Sequence, residues 1–162
     1  MNRSAKRIML DVKDIMSEPI DNITYIPDED LNNIGYAMII GPSDTPYEYG
    51  YYFFEFVYPD NYPFVPPKVI FKTCDGKTRF NPNLYINGFV CLSLLNTWPG
   101  EKWSACQSLR SILLSLSTLF HEYPLLNEPG ITMKNNNMVP YNSIIHYRNI
   151  EVAILKCLHI ET

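Results

Sequence analysis

Ile8, Val12 and Ile15 fall on one face of a helical wheel, with Met9 and Met16 beside them and Arg3, Lys6, Arg7 and Lys13 elsewhere on it. That spacing predicts an amphipathic helix over residues 3–16, its basic positions on a solvated face. The period then changes. "NITYI", "GYAMIIG", "YYFFEFVYP" and "KVIFK" are short, β-branched and aromatic runs, separated by "PDEDLNN", "GPSDTPYEYG" and "PDNYPFVPP". Runs of this kind between Gly, Pro, Asp and Asn clusters predict four strands joined by short connections, an antiparallel meander. The prolines from Pro59 to Pro67 cannot continue a central strand, because proline offers no amide hydrogen to a ladder, so this stretch should be a stiff surface crossing. From Thr73 to Glu101 no regular pattern holds for any length. Long irregular segments inside compact domains are commonly functional.

A second helical stripe follows, made of Leu109, Ile112, Leu113, Leu116 and Phe120. Ser104 with Gln107 three residues later reads as a capping box, which places a long central helix from about Ala105 to about His121. Pro140 opens a last helix, roughly Tyr141 to Leu158. There is no internal repeat and no linker, so the expectation is one α+β domain over residues 1–162, a four-stranded sheet packed on the central helix.

The chain has 162 residues, 46% of them hydrophobic and 14% aromatic, enough for a sizeable core. The formal net charge is −4 and no run of Lys or Arg exceeds two residues, which argues against nucleic acid as a partner. No apolar run reaches membrane-spanning length, and "MNRSAKRIML" lacks the features of a signal peptide. The expectation is a soluble protein of the cytoplasm or nucleus, with no membrane partner. The four cysteines, at 74, 91, 106 and 157, contain no CxxC pair, so the spacing gives no zinc or redox motif, and neither metal nor cofactor is expected. In a reducing compartment they are free thiols, core residues or a nucleophile; composition does not distinguish them.

The ordered motifs carry more. "SAKRI", "GPSDTPYEYG", "YPFVPPKVIF", "NPNLYINGFVCLSLL" and "WSACQSLRSILLSL" follow one another at the spacing of a ubiquitin-conjugating enzyme, which the chain resembles over nearly its whole length. Two departures, Asn81 where that family usually has histidine and the longer gap "NTWPGEK" between Cys91 and Trp103, resemble the subgroup of large conjugating enzymes that carry Asn-Pro-Asn. The resemblance implies the UBC fold and two acyl transfers through a thioester, with ubiquitin or a ubiquitin-like modifier, an activating enzyme, a ubiquitin ligase and protein substrates as partners. Cys91 matches the nucleophile. Asn83 matches an asparagine read as an oxyanion donor, though it equally suits a turn residue bonding its own backbone. Asn81, Pro82 and Tyr85 are implied as support for the active-site loop. Glu128, before Pro129, matches a carboxylate that orients the incoming lysine; the plainer alternative is a solvated loop glutamate. A further position that is often acidic in the family, two past the cysteine, is Ser93. Lys6 and Arg7 match positions that meet the activating enzyme and ligases. Pro63, Phe64, Ala105 and Cys106 match the two loops that ligases grip, with Ala105 replacing the usual proline. Two other readings compete. A non-catalytic ubiquitin-binding variant of the fold would lack the cysteine. A cysteine hydrolase would need a histidine base, and none of His121, His146 and His159 has a hydrolase signature around it.

Overall fold

The heptad-like spacing of Ile8, Val12 and Ile15 becomes a buried stripe on helix α1, Arg3–Ser17, in a computed structural model that describes residues 3–158. Residues 1–2 and 159–162, His159 among them, lie outside the described residues. Asp11 is buried on the same stripe, which an unpaired carboxylate would not tolerate; it accepts from Arg7 Nε at 3.0 Å and from the Tyr62 hydroxyl.

The four predicted strands form as β1 (Ile23–Pro27), β2 (Ile34–Ile40), β3 (Tyr51–Val57) and β4 (Lys68–Phe71), antiparallel and in sequence order. Alternation along each strand sends Tyr25, Ala37, Ile39, Tyr52, Phe54, Phe56, Val69 and Phe71 inward. They join one continuous core with the α1 stripe and with Leu109, Ile112, Leu113 and Leu116 of the central helix α2, Leu109–Ser117. Rings interlock at its centre: Phe120 lies 4.5 Å from Tyr52 and meets Tyr47 edge-on at 5.0 Å. From Thr73 to Glu101 the chain holds isolated bridges and a 3-10 turn at Ser93–Leu95, as its lack of pattern predicts.

The central helix is shorter than predicted. Helix α2 spans Leu109–Ser117, and its capping box is Ser108 with Ser111. Ser104 and Gln107 do exchange bonds, Ser104 N–H donating to Gln107 Oε1 at 3.3 Å and Gln107 N–H to Ser104 O at 3.0 Å. They close a turn that does not propagate, because Arg7 claims the carbonyls a helix would need: its Nη1 donates to Ala105 O at 2.9 Å and its Nη2 to Gln107 O. At the other end, Leu119 and Phe120 N–H groups bond three residues back and the Leu119 carbonyl turns to Asn81, so the helix stops before His121.

The last helical stretch begins earlier than predicted. Helix α3 spans Met138–Arg148, with Pro140 in its first turn, where a missing N–H leaves no bond unmade. It widens into a π-helix over Asn149–Leu155 before helix α4, Lys156–Leu158. Asn149, fully buried, accepts from Tyr52 Oη at 2.6 Å and donates to Glu48 O at 2.9 Å. A Cβ on Gly50 would lie 1.9 Å from Asn149 Oδ1, so this approach requires glycine.

Candidate active site

Cys91 lies between the isolated Leu84–Val90 bridge and the 3-10 turn, in no regular element. It is 4% exposed. Its Sγ–H donates to the Thr97 carbonyl at 3.1 Å. Burial pushes its thiol above the usual range, and the Arg79 guanidinium partly offsets that.

The shoulder beside it is the Asn-Pro-Asn turn. Asn81 is fully buried and uses all the capacity of its amide: Oδ1 accepts from Asn83 N–H at 2.9 Å and from Asn127 Nδ2 at 3.2 Å, while Nδ2 donates to Leu119 O at 2.8 Å and, at 3.4 Å, to Tyr47 Oη. Tyr47 Oη in turn donates to Phe80 O at 2.6 Å. Asn83 is tied to Cys91 twice. Cys91 N–H donates to Asn83 O at 2.8 Å, and Asn83 Nδ2 donates to Cys91 O at 2.6 Å. One of that amide's two N–H donors is therefore engaged on the Cys91 backbone.

The other side of the thiol is held by the longer loop. Thr97 Oγ1 accepts from Leu92 N–H at 2.9 Å and faces the Val90 and Leu92 carbonyls at 2.9 and 3.0 Å. Asn96, left-handed at φ 59°, accepts from Trp103 N–H on Oδ1 at 3.1 Å. Gly100, at φ 135°, packs so close that a Cβ would lie 3.1 Å from Ser93 Cβ. The segment "NTWPGEK", whose purpose the sequence leaves open, thus folds back against the site and supplies the carbonyl that holds the thiol.

Glu128 follows a 3-10 helix at Pro124–Asn127. Its loop is tied to the shoulder through Asn127. Tyr123 N–H donates to His121 Nδ1 at 3.3 Å, which leaves Nε2–H to donate to Asn127 Oδ1 at 3.2 Å, and Asn127 donates on to Asn81. The Glu128 carboxylate faces Arg79, Oε2 to Nη2 3.6 Å. Arg79 also donates to the Pro82 carbonyl at 2.5 Å, and its guanidinium lies 4.4 Å over the ring centroid of Tyr85. Asn81, Asn83 and Cys91 are thus joined by direct hydrogen bonds, while Pro82, Tyr85 and Glu128 meet at Arg79. Arg79, Thr97 and Asn127 complete the set without any sequence signal, because each acts on backbone groups or on single partners distant in the chain.

The implied partner residues form one surface. Trp103 Nε1 donates to Pro63 O at 2.7 Å, joining the two loops, and Arg7 joins the second loop to α1. Phe64 is 70% exposed, Lys6 and Cys106 are exposed, and Pro63 and Ala105 are half-buried. Arg7 differs from its expected place on a solvated face. Its guanidinium is spent on Asp11, Ala105, Gln107 and the Tyr62 ring at 5.8 Å. Among the described residues no group of three or more His, Cys, Asp or Glu could hold a metal ion, and no helix is long and apolar enough to cross a membrane.

A family model described as "Ubiquitin-conjugating enzyme" matches residues 7–148. The chain is 43% identical over 161 residues to ubiquitin-conjugating enzyme E2 Z of Xenopus tropicalis, covering 97% of this chain and 51% of that protein. It is 43% identical over 152 residues to ubiquitin-conjugating enzyme E2 Z of Homo sapiens, covering 91% of this chain and 43% of that protein. It is also 47% identical over 108 residues to "Probable ubiquitin-conjugating enzyme protein 17" of Caenorhabditis elegans, covering 64% of this chain and 15% of that protein. The chain spans about half the length of the first two of these relatives.

Proposed function

We propose that this chain, which belongs to the ubiquitin-conjugating enzyme family, takes ubiquitin or a ubiquitin-like modifier from an activating enzyme as a thioester on Cys91 and passes it to a substrate lysine or to a ligase. The observation that carries the reading is a thiol in the family's nucleophile position, set in an irregular segment and fixed on both sides, by Asn83 and by the Thr97 carbonyl.

In charging, the Cys91 thiolate attacks the carbonyl carbon of the modifier's terminal thioester. A tetrahedral oxyanion forms and collapses, expelling the activating enzyme's thiolate. The proton on Sγ must leave first, and burial opposes that while Arg79 favours it. In transfer, a lysine amine attacks the new thioester, a second oxyanion forms, and the Cys91 thiolate leaves. Asn83 carries two amide N–H donors; with one on Cys91 O, the other serves the oxyanion, and a lost donor of this kind costs roughly 3–4 kcal/mol. Glu128 holds and orients the amine, which arrives as an ammonium at neutral pH and gives one proton to the carboxylate or to water before it attacks; the nitrogen gives up a second proton to water as the Cys91 thiolate leaves. A binding-only variant of the fold has no use for a thiol placed in this way.

The test is to mix the purified chain with ubiquitin, an activating enzyme and ATP and to run a non-reducing gel. The wild type forms a thiol-sensitive adduct, and Cys91→Ser forms at most a more stable oxyester. A thiol-sensitive adduct on Cys91→Ala, through Cys74, Cys106 or Cys157, would overturn the assignment.

A further inference from the structure

Arg79 stands where the two halves of the site meet. Its backbone is pinned by the Tyr141 hydroxyl, which donates to Arg79 O at 2.8 Å. Its guanidinium lies over the Tyr85 ring at 4.4 Å and gives Nη2 to Pro82 O at 2.5 Å. From that seat the same nitrogen faces Glu128 Oε2 at 3.6 Å. The planar fork suits this combination of stacking and hydrogen bonding, so the cation is held on the Asn-Pro-Asn side and meets the carboxylate across the gap.

We infer that Arg79 is a specificity-determining positioning residue that holds Glu128 in an ion pair and so restrains direct transfer to lysine amines relative to thiol acceptors. This rests on the reading of Cys91 and Glu128 given above. An arriving lysine carries the same charge as Arg79 and needs the same carboxylate. It must either displace the guanidinium or share Glu128 with it, against like-charge repulsion. A cysteine acceptor, such as a ligase thiol, is neutral or anionic and needs no carboxylate, so the pair does not stand in its way. Ser93, two residues past the cysteine, offers no substitute charge for the amine.

The restraint is mild. The side chains of Arg79 and Glu128 are 41% and 44% exposed, and such pairs are weak and screened. Breaking the pair should change selectivity by about two- to fivefold, the scale of an exposed ion pair. A carboxylate on a ligase or substrate could draw Arg79 away at little cost, which would couple lysine transfer to docking of that partner.

Absolute rates cannot isolate this effect, because the Arg79 charge also favours the Cys91 thiolate and so alters how readily Cys91 leaves, for every acceptor alike. The ratio of acceptors can. Thioester would be formed on Cys91, the activating enzyme stopped, and single-turnover loss followed with free lysine or free cysteine. The proteins compared would be wild type, Arg79→Gln, Glu128→Gln and the Arg79→Gln/Glu128→Gln double variant. The expected result is a lysine-to-cysteine ratio about two- to fivefold higher in Arg79→Gln and no higher in the double variant than in Glu128→Gln. An unchanged ratio in Arg79→Gln, or the same rise without Glu128, would each overturn the inference, the second by showing that shape rather than the ion pair matters. A chain that never forms the thioester overturns the reading of Cys91, and this inference with it.

Discussion

Behind the sheet, Tyr52, Phe54 and Phe56 fill space with rings; around Cys91, Asn81, Asn83 and Thr97 grip backbone with amides and a hydroxyl. The first region is fully buried and the second only in part, and they are held by different physics. Ring packing is non-directional and shared, so each aromatic side chain has several neighbours and the loss of one leaves the others in place. The grip on the active-site loop is directional and unshared. A single amide, Asn81, serves Asn83, Leu119, Asn127 and Tyr47 at once. A defect in the first region should therefore lower stability broadly, and a defect in the second should lower function more than stability.

The largest loss of stability is expected from the ring layer. Phe54 is wholly buried between Phe71 and Phe120, with centroids 5.3 and 6.4 Å away. Phe54→Ala should cost about 3–5 kcal/mol, the range for truncating a buried aromatic. Measured by urea unfolding, that loss should come with a charging rate per folded molecule close to wild type. A protein of normal stability, or one that folds and fails to charge, would contradict the division between the two regions.

Asn81→Ala comes next. It removes no large volume but strands the Asn83 N–H, the Leu119 carbonyl and the Asn127 amide in a buried place. The expected cost is about 2–3 kcal/mol, since unpaired buried polar groups each cost on the order of 1–3 kcal/mol and some will relax. Transfer per folded molecule should fall at least about tenfold, because Asn83 loses its anchor. Asn81→His should fall between the two. A neutral imidazole has one donor and one acceptor and cannot make the four bonds the amide makes. Equal transfer by Asn81→Ala and wild type would show that the turn is held without Asn81.

The same division explains what the sequence made legible. Alternation and helical stripes are written by many residues, so the four strands, α1 and the buried face of α2 could be read from their periods. The start of α2 could not. Ser104 and Gln107 spell a capping box and make one of its two bonds, yet Arg7, about a hundred positions earlier, takes the carbonyls of Ala105 and Gln107. Periodicity carries no record of such a contact. The candidate site was legible only through an ordered set of motifs, whose family resemblance pointed to Cys91, Asn81, Asn83 and Glu128. Arg79, Thr97 and Asn127 were not, because Arg79 and Thr97 bond backbone groups, which require no particular residue type at the partner, and Asn127 bonds a side chain distant in the sequence. Arg7 shows the converse: a basic pair on a helix reads as a solvated docking face, and one member of it is structural.

The smallest effect on stability, and the sharpest comparison, comes from Thr97. Its hydroxyl takes the Leu92 N–H, and its carbonyl takes the Cys91 thiol. Thr97→Val keeps the shape and removes only the hydroxyl. The site is half-buried, so water can reach the freed groups and the cost should be about 1 kcal/mol. The consequence for Cys91 is larger. Burial is the main cause of its raised thiol pKa. Slackening the loop lets water in, and the pKa falls back toward the usual value, so more thiolate is present at any pH below it. Iodoacetamide reacts with the thiolate, so Cys91 in Thr97→Val should alkylate faster at pH 7 and reach half its maximal rate at a lower pH than in wild type. Cys74 and Cys106 are exposed in the same chain and provide the reference, each followed by peptide mass spectrometry. Faster reaction at all three cysteines would mean general loosening of the fold. Faster reaction at Cys91 alone, with the unfolding midpoint nearly unchanged, is the outcome expected of a loop held by directional bonds over a core held by packing. An unchanged rate at Cys91 would mean that the Thr97 hydroxyl does not keep the thiol covered.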